Sequence, residues 1–128
     1  MPTLLFLVED EELVLITVET ALQDAGYAVR SAREGQEAMS LLEAEGEEFS
    51  ALITDVNLGD VDGWQVARRA RELRPKLPVV YVTGDSAHQW ASQGVPHSVL
   101  VEKPFAPAQI VTAVSNLLNV TDIGGQGG

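Results

Sequence analysis

The amino-acid sequence predicts an α/β protein, a doubly wound (βα)5 fold in which five parallel strands form one sheet between two layers of helices. Four short apolar runs are continuous and rich in β-branched residues, a pattern typical of strands buried on both faces. The segments between them repeat apolar residues at helical spacing. Because strand and helix alternate strictly, we expect right-handed crossovers and a parallel sheet of order 2-1-3-4-5.

The strands can be placed along the chain from these runs. The four strong candidates are residues 4–8, 51–53, 79–82 and 99–101, and a weaker fifth candidate is 27–29. Gly26 stands where the first helix should end, and Asp62 is a plausible N-cap for the third. Residues 86–93 are short and only weakly amphipathic, so the fourth helix is the least certain element.

Length and composition limit the possible functions. A chain of 128 residues suits one domain, which we place at residues 1–120, and the Gly-rich residues 121–128 are expected to form a flexible tail. Cysteine is absent, which excludes disulfides and thiolate zinc sites. The formal charge of -11 disfavours binding to nucleic acids and anionic membranes. With no signal segment and no apolar run of membrane-spanning length visible, the expected location is the cytoplasm.

Polar residues of different kinds follow four of the predicted strands. Glu9 and Asp10 follow the first, Asp55 the third, Thr83 the fourth and Lys103 the fifth. The carboxyl ends of parallel strands meet at one edge of the sheet, where open α/β folds bind their ligands. Three carboxylates, a hydroxyl and an amine at one edge favour a magnesium-dependent site that accepts a phosphoryl group.

These residues resemble the receiver domain of two-component response regulators, the CheY-like family with its flavodoxin-like three-layer fold, over roughly residues 3 to 119. The matching motifs are VEDE at 8–11, Asp55-Val56-Asn57 followed by Asp62-Gly63, Thr83-Gly84, and Lys103-Pro104-Phe105. Each motif is weak alone, but their order and spacing together are specific. The resemblance implies a phosphoprotein that acts as a signalling switch in a phosphorelay, and not an enzyme with a substrate of its own.

The resemblance also implies a role for each site residue. Asp55 would accept the phosphoryl group, Lys103 and Thr83 would contact its oxygens, and Gly84 would present a backbone N–H beside it. Mg²⁺ would be the cofactor, held by Asp10, Asp55 and the backbone carbonyl of Asn57, with Glu9 acting through water. The Lys103-Pro104 peptide bond is expected to be cis.

Partners follow from the same resemblance. The phosphoryl donor would be a histidine kinase or a histidine phosphotransfer protein, and the output an unknown protein target. A phosphorylation-dependent homodimer is compatible with this reading. The chain could be a stand-alone regulator or a receiver from a longer hybrid histidine kinase.

Three departures from the family pattern concern signal output. Receivers commonly carry Tyr or Phe three residues before the lysine, where this chain has Leu100. Gly59 replaces the usual proline four residues after the phosphoacceptor, and the interval from Thr83 to Lys103 is short enough to trim the fourth helix. Trp90, in that uncertain helix, is expected either to pack or to join a partner-facing patch.

Two other function classes remain as alternatives. A phosphohydrolase with an aspartyl nucleophile would need a second Asp two residues after Asp55 as general acid and base, but position 57 is Asn. A flavodoxin-like cofactor binder would need donors for a flavin phosphate after the first strand, where the sequence is EDEE. A receiver that no longer uses phosphate belongs to the same class of binding modules.

Overall fold

The structure is a computed structural model that describes the backbone of residues 2–127 and the side chains of residues 2–119. Its strands are β1 (Leu4–Val8), β2 (Ala28–Ala32), β3 (Ala51–Asp55), β4 (Val79–Thr83) and β5 (Ser98–Glu102). Its helices are α1 (Glu12–Asp24), α2 (Gly35–Glu45), α3 (Gly63–Leu73), α4 (Trp90–Gln93) and α5 (Pro107–Gly127). Short 3-10 turns occupy Gly46–Glu48 and Ala87–Gln89.

The five strands form one parallel sheet of order β2-β1-β3-β4-β5, which confirms the predicted fold class and topology. Alternate residues of the central strands point to opposite faces and feed two apolar clusters. Phe6 and Tyr81 lie in the cluster that includes α2 and α3, whereas Leu5 and Val80 lie in the cluster that includes α1 and α5. The sheet is therefore the middle layer of three.

Strand ends differ slightly from the predictions, and the differences matter for the site. β3 extends through Asp55 and β4 through Thr83, so both polar residues keep strand geometry and lie fully inside the sheet. β2 begins at Ala28, one residue later than predicted, and Tyr27 instead forms a 2.8 Å hydrogen bond with Ser115 of α5. The buried core therefore extends to Asp55 and Thr83, at the sheet edge where the sequence predicts the functional site.

The predicted helix signals are present in the structure. Gly26, just beyond α1, has a φ of +99°, a conformation that glycine adopts without strain. Asp62 caps α3, because its side chain accepts a 2.9 Å hydrogen bond from the Gln65 N–H while the Gln65 side chain accepts one from the Asp62 N–H. The fourth helix is as short as expected, with four residues after a 3-10 turn.

Arg71, on α3, holds both the connection that leads to β4 and the connection between α4 and β5. Its guanidinium donates to the backbone carbonyls of Leu77, Pro96 and His97. Burial lowers the pKa of Arg71, an effect that Tyr81 partly offsets. Three carbonyl bonds from one side chain make this a strong attachment, since bonds to charged groups each contribute about 1.5–3 kcal/mol.

Two sequence predictions concern the end of the chain and its relation to membranes. The predicted tail at 121–128 falls where side chains lie outside the described residues, and its flexibility stays a prediction. Within residues 2–127, no helix combines the length and the apolar character that crossing a bilayer demands.

Candidate functional site

The sheet brings four strand ends to one edge of the molecule. In the register of the parallel pairs, Val8 lies opposite Thr54, Asp55 opposite Val82, and Thr83 opposite Glu102. The residues that follow or close these strands are therefore neighbours across the sheet. Glu9 and Asp10, which follow β1, lie beside Asp55 at this edge, as the predicted strand order requires.

Three carboxylates lie close together at this edge. One oxygen from each of Glu9, Asp10 and Asp55 lies within 4.8 Å of the others. Glu9 and Asp55 are buried, with 3% and 4% of their surface exposed, whereas Asp10 is exposed. Burial, and then the neighbouring charge of Asp55, raise the pKa of Glu9 from 4.5 to about 8. Burial also raises the pKa of Asp55, although Lys103 opposes it.

Lys103 supplies the positive charge of the site. Its Nζ lies 3.3 Å from Asp55 Oδ2, 3.6 Å from Glu9 Oε1 and 4.0 Å from Glu11 Oε1. Burial lowers the pKa of Lys103, but the charges of Asp55 and Glu9 outweigh it and the pKa is raised. The amine stays protonated at neutral pH. The Lys103-Pro104 peptide bond is cis, as expected.

The backbone around Asp55 holds its carboxylate in place. The N–H of Asn57 donates to Asp55 Oδ1 at 3.4 Å, and Asn57 itself is exposed beside it. Gly63, at the start of α3, lies against this strand end, since an added Cβ would be 2.1 Å from the Asp55 carbonyl oxygen. The Gly63 N–H donates to the Val56 carbonyl at 2.8 Å. Only glycine permits this close approach of α3 to the end of β3.

Thr83 and Ser86 form a link that the sequence prediction missed. Thr83 is fully buried, and its hydroxyl oxygen accepts the Ser86 N–H at 3.2 Å. The Ser86 hydroxyl in turn lies 3.5 Å from Asn57 Oδ1, at the limit of a hydrogen bond. A Thr followed three residues later by a bonded N–H is a local side-chain turn, which residue type and spacing could have suggested.

A cavity of about 780 Å³ opens over this edge. Its lining includes the predicted site residues Asp10, Asp55, Asn57, Gly84 and Lys103, together with Asp85 and apolar residues of α1 and of the segment before α5. Thr83 is fully buried and does not line this cavity. Gly84 has ordinary space around it, because an added Cβ would lie 3.6 Å from Lys103 Cβ.

The donor set fits a hard divalent cation. The three clustered acidic side chains offer carboxylate oxygens, which are the ligands that Mg²⁺ prefers, and Asp10 and Asp55 also line the open cavity. Burial is the main cause of the raised pKa of Glu9, and the nearby negative charge of Asp55 adds to it. The cluster Glu9, Asp10 and Asp55 can therefore bind a metal ion.

Comparison with known proteins gives a consistent result. The sequence profile of the Response regulator receiver domain matches residues 5–115. The crystal structure of a response regulator receiver protein from Sinorhizobium medicae WSM419 is 43% identical, with a TM-score of 0.88, and the alignment covers 92% of this chain and 95% of that one. The profile match includes all three residues of the acidic cluster.

Two curated relatives are longer proteins. Sensor kinase CckA of Brucella abortus (strain 2308) is 32% identical over 119 residues, which are 91% of this chain but 12% of the kinase. Response regulator SaeR of Staphylococcus aureus (strain USA300) is 25% identical over 118 residues, 91% of this chain and 50% of that regulator. The chain thus spans half or less of the length of each.

Proposed function

Because the chain belongs to the response regulator receiver domain family, we propose that it is a phosphorylation-controlled signalling switch and that Asp55 accepts the phosphoryl group. One observation carries the proposal: Asp55 is a buried carboxylate at the edge of the cavity, with Oδ2 3.3 Å from the Lys103 amine. An ionised carboxylate next to a cation, open to a large cavity, can act as a nucleophile toward phosphorus.

The chain's own residues supply positioning and charge. A carboxylate oxygen of Asp55 attacks the phosphorus in line, an O–P bond forms, and the bond from phosphorus to the donor nitrogen breaks with the electron pair leaving on that nitrogen. The Lys103 ammonium stabilises negative charge on the phosphoryl oxygens. Thr83 donates its hydroxyl proton to one of them, and the Gly84 N–H provides a further donor. Asn57, which fixes Asp55 Oδ1 through its backbone N–H, keeps the nucleophile oriented.

Mg²⁺ would be held by Asp10, Asp55 and the Asn57 carbonyl, with Glu9 through water, and would neutralise charge on the transferring group. The charges of the site support this requirement. Glu9, Asp10 and Asp55 carry -3 when ionised, Lys103 reduces this to -2, and a dianionic phosphoryl group in place of the Asp55 charge restores -3. Like charges at ~4 Å with an effective dielectric of ~20 cost about 4 kcal/mol per pair.

The donor and the location follow from the family. We propose that a histidine kinase or a histidine phosphotransfer protein supplies the phosphoryl group in the cytoplasm. The chain then acts as a phosphoprotein that signals through a downstream protein, and a homodimer of phosphorylated chains is one form this output can take. It has no substrate beyond its own phosphorylation and dephosphorylation.

The test is intact-mass spectrometry after incubation with Mg²⁺ and acetyl phosphate. We expect a gain of one phosphoryl group, lost in Asp55→Asn and suppressed by EDTA. Asp60→Asn is the matched control, because Asp60 is an exposed carboxylate of the same loop, five residues on. A phosphoryl gain that persists in Asp55→Asn contradicts the assignment. Continuous turnover of a phosphomonoester, many equivalents per chain, would instead favour the phosphohydrolase.

A further inference from the structure

Helices α1 and α5 share one layer of the fold, and the exposed residues along their outer surface are almost all uncharged. Between Glu12 and Asp24, the exposed residues of α1 are Leu13, Ile16, Thr17, Thr20 and Gln23. The exposed residues that the structure describes on α5 are Ala108, Gln109, Thr112, Asn116 and Asn119. Beneath this surface, the inner sides of both helices join one cluster of buried residues. We call the surface formed by these ten residues the α1–α5 face.

The absence of charge on the α1–α5 face contrasts with the rest of the chain. The sequence has eight basic and nineteen acidic residues, yet residues 104–121 include none of them. The outer side of a surface helix normally carries charged and polar residues. Depletion of charged residues is instead typical of the surface that a protein buries when it associates. The α1–α5 face therefore has the composition of an interface.

Two large apolar side chains lie on the α1 half of this face. Leu13 is 77% exposed and Ile16 is 50% exposed, the highest values for large apolar side chains in residues 2–119. They are three residues apart in the helix, so they are neighbours on its surface. Adjacent exposed apolar groups that are surrounded by polar residues mark sites where another protein binds.

Charge decides which partner fits the α1–α5 face. Two copies of the chain, each with a formal charge of -11, repel one another over most of their surfaces. An uncharged face lets the two copies meet without bringing like charges together, which would cost several kcal/mol in binding energy and exclude the contact. A basic partner would be attracted to the acidic parts of the chain instead. The α1–α5 face therefore fits a second copy of this chain best.

We propose that the unphosphorylated chain forms a homodimer in which the α1–α5 faces of two copies pack against each other about a two-fold axis. A two-fold interface uses the same patch on both copies, so each copy covers Leu13 and Ile16 of the other. It also closes at two chains. The dimer does not depend on phosphorylation of Asp55, so this proposal and the proposed function can fail independently.

The test is sedimentation velocity of the unphosphorylated chain over concentrations from about 5 to about 500 µM. We expect a shift from monomer to dimer, with a dissociation constant in the micromolar range. Raising NaCl from about 10 to about 150 mM should lower this constant roughly threefold or more, because salt screens the repulsion between the two acidic chains. An interface held by opposite charges would respond in the other direction.

Three variants test the position of the interface. Ile16→Glu buries a carboxylate from each copy and should raise the dissociation constant at least about tenfold. Thr112→Glu makes the corresponding change on α5 and should also raise it. Leu73→Glu is the matched control, because it adds the same charge at an apolar residue of α3 that is 39% exposed. Since α3 packs on the other side of the sheet, this control should stay within about twofold of wild type at 150 mM NaCl.

Several results would overturn the homodimer. A wild type that sediments as a monomer at every concentration does so, and the face then serves a different protein. An equal loss of dimer in Leu73→Glu would show that net charge, and not the α1–α5 face, controls association. A dimer that persists in Thr112→Glu and Ile16→Glu, or that weakens as salt rises, also contradicts the proposal. Circular dichroism checks that each variant is folded, and Thr112→Glu decides if Ile16→Glu is not.

Discussion

Raising the pH of the metal-free protein should destabilise it through Glu9. The buried Glu9 carboxyl has its pKa raised from 4.5 to about 8, so the folded protein keeps a proton that the unfolded chain releases in this range. The free energy of unfolding must therefore fall as pH rises from about 4.5 to 8. The pKa difference, at about 1.4 kcal/mol per unit, gives a loss of at most about 5 kcal/mol.

The assay is urea unfolding in EDTA at pH values across this window, for the wild type and for Glu9→Gln. The glutamine variant keeps the shape of the side chain but loses its titration, so the difference between the two proteins reports the titration of Glu9 together with its coupling to Asp55. Because Asp55 lies in the same cluster and also has a raised pKa, the measured fall reports the pair. Mg²⁺ binds the ionised carboxylates and should restore stability at high pH.

Parallel curves for wild type and Glu9→Gln would refute this reasoning. A wild type that gains stability relative to the variant as pH rises would refute it as well, because that sign belongs to a carboxyl with a lowered pKa. Retention of the full loss in millimolar Mg²⁺ would show that the metal does not bind the cluster.

Three further changes test other parts of the structure. Arg71→Ala removes hydrogen bonds to three backbone carbonyls and should lower the free energy of unfolding by roughly 2–4 kcal/mol. The control Arg68→Ala loses one exposed hydrogen bond and should lower it by less than about 0.5 kcal/mol. Urea unfolding of both variants measures the difference. Gly63→Ala places a Cβ 2.1 Å from a carbonyl oxygen of β3 and should lower the free energy of unfolding by at least about 1–3 kcal/mol. In the control Gly46→Ala the added Cβ lies 3.9 Å from its nearest neighbour, so the same assay should show almost no change. Lys103→Met removes the cation beside the nucleophile and should slow phosphorylation by acetyl phosphate roughly 100-fold, measured by intact mass against time; an unchanged rate would contradict its role.

Much of the fold was predictable because its signals are local. Strand 4–8 was predicted with its exact limits, and Asp62 was identified as the cap of α3 from residue type and position alone. The short interval from Thr83 to Lys103 predicted a trimmed fourth helix, and α4 has four residues. β2 was placed one residue early because Tyr27 is apolar enough to continue the strand, yet in the structure its hydroxyl bonds to α5. This hydrogen bond needs Ser115, which is 88 positions away in the chain and is not visible in the local sequence around Tyr27.

The candidate site was predictable in its members but not in its arrangement. Polar residues at four strand ends indicate one sheet edge, since parallel strands align their carboxyl ends. Nothing in the local sequence distinguishes Glu9, which is buried in the folded chain, from Asp10, which is exposed. The contact between Ser86 and Asn57 could not be predicted, because it joins two separate loops.

The sequence by itself therefore determined the strand and helix order, the sheet topology and the set of carboxylates, hydroxyl and amine at one edge, because apolar periodicity and strand-end residues are properties of short segments. Only the tertiary structure decided which carboxyl is buried and holds a raised pKa, how Lys103 is shared among its acidic neighbours, and how Trp90 rests on Gly94 and Ser98. These properties depend on desolvation and on distances between residues far apart in the chain, which arise only when the layers pack together.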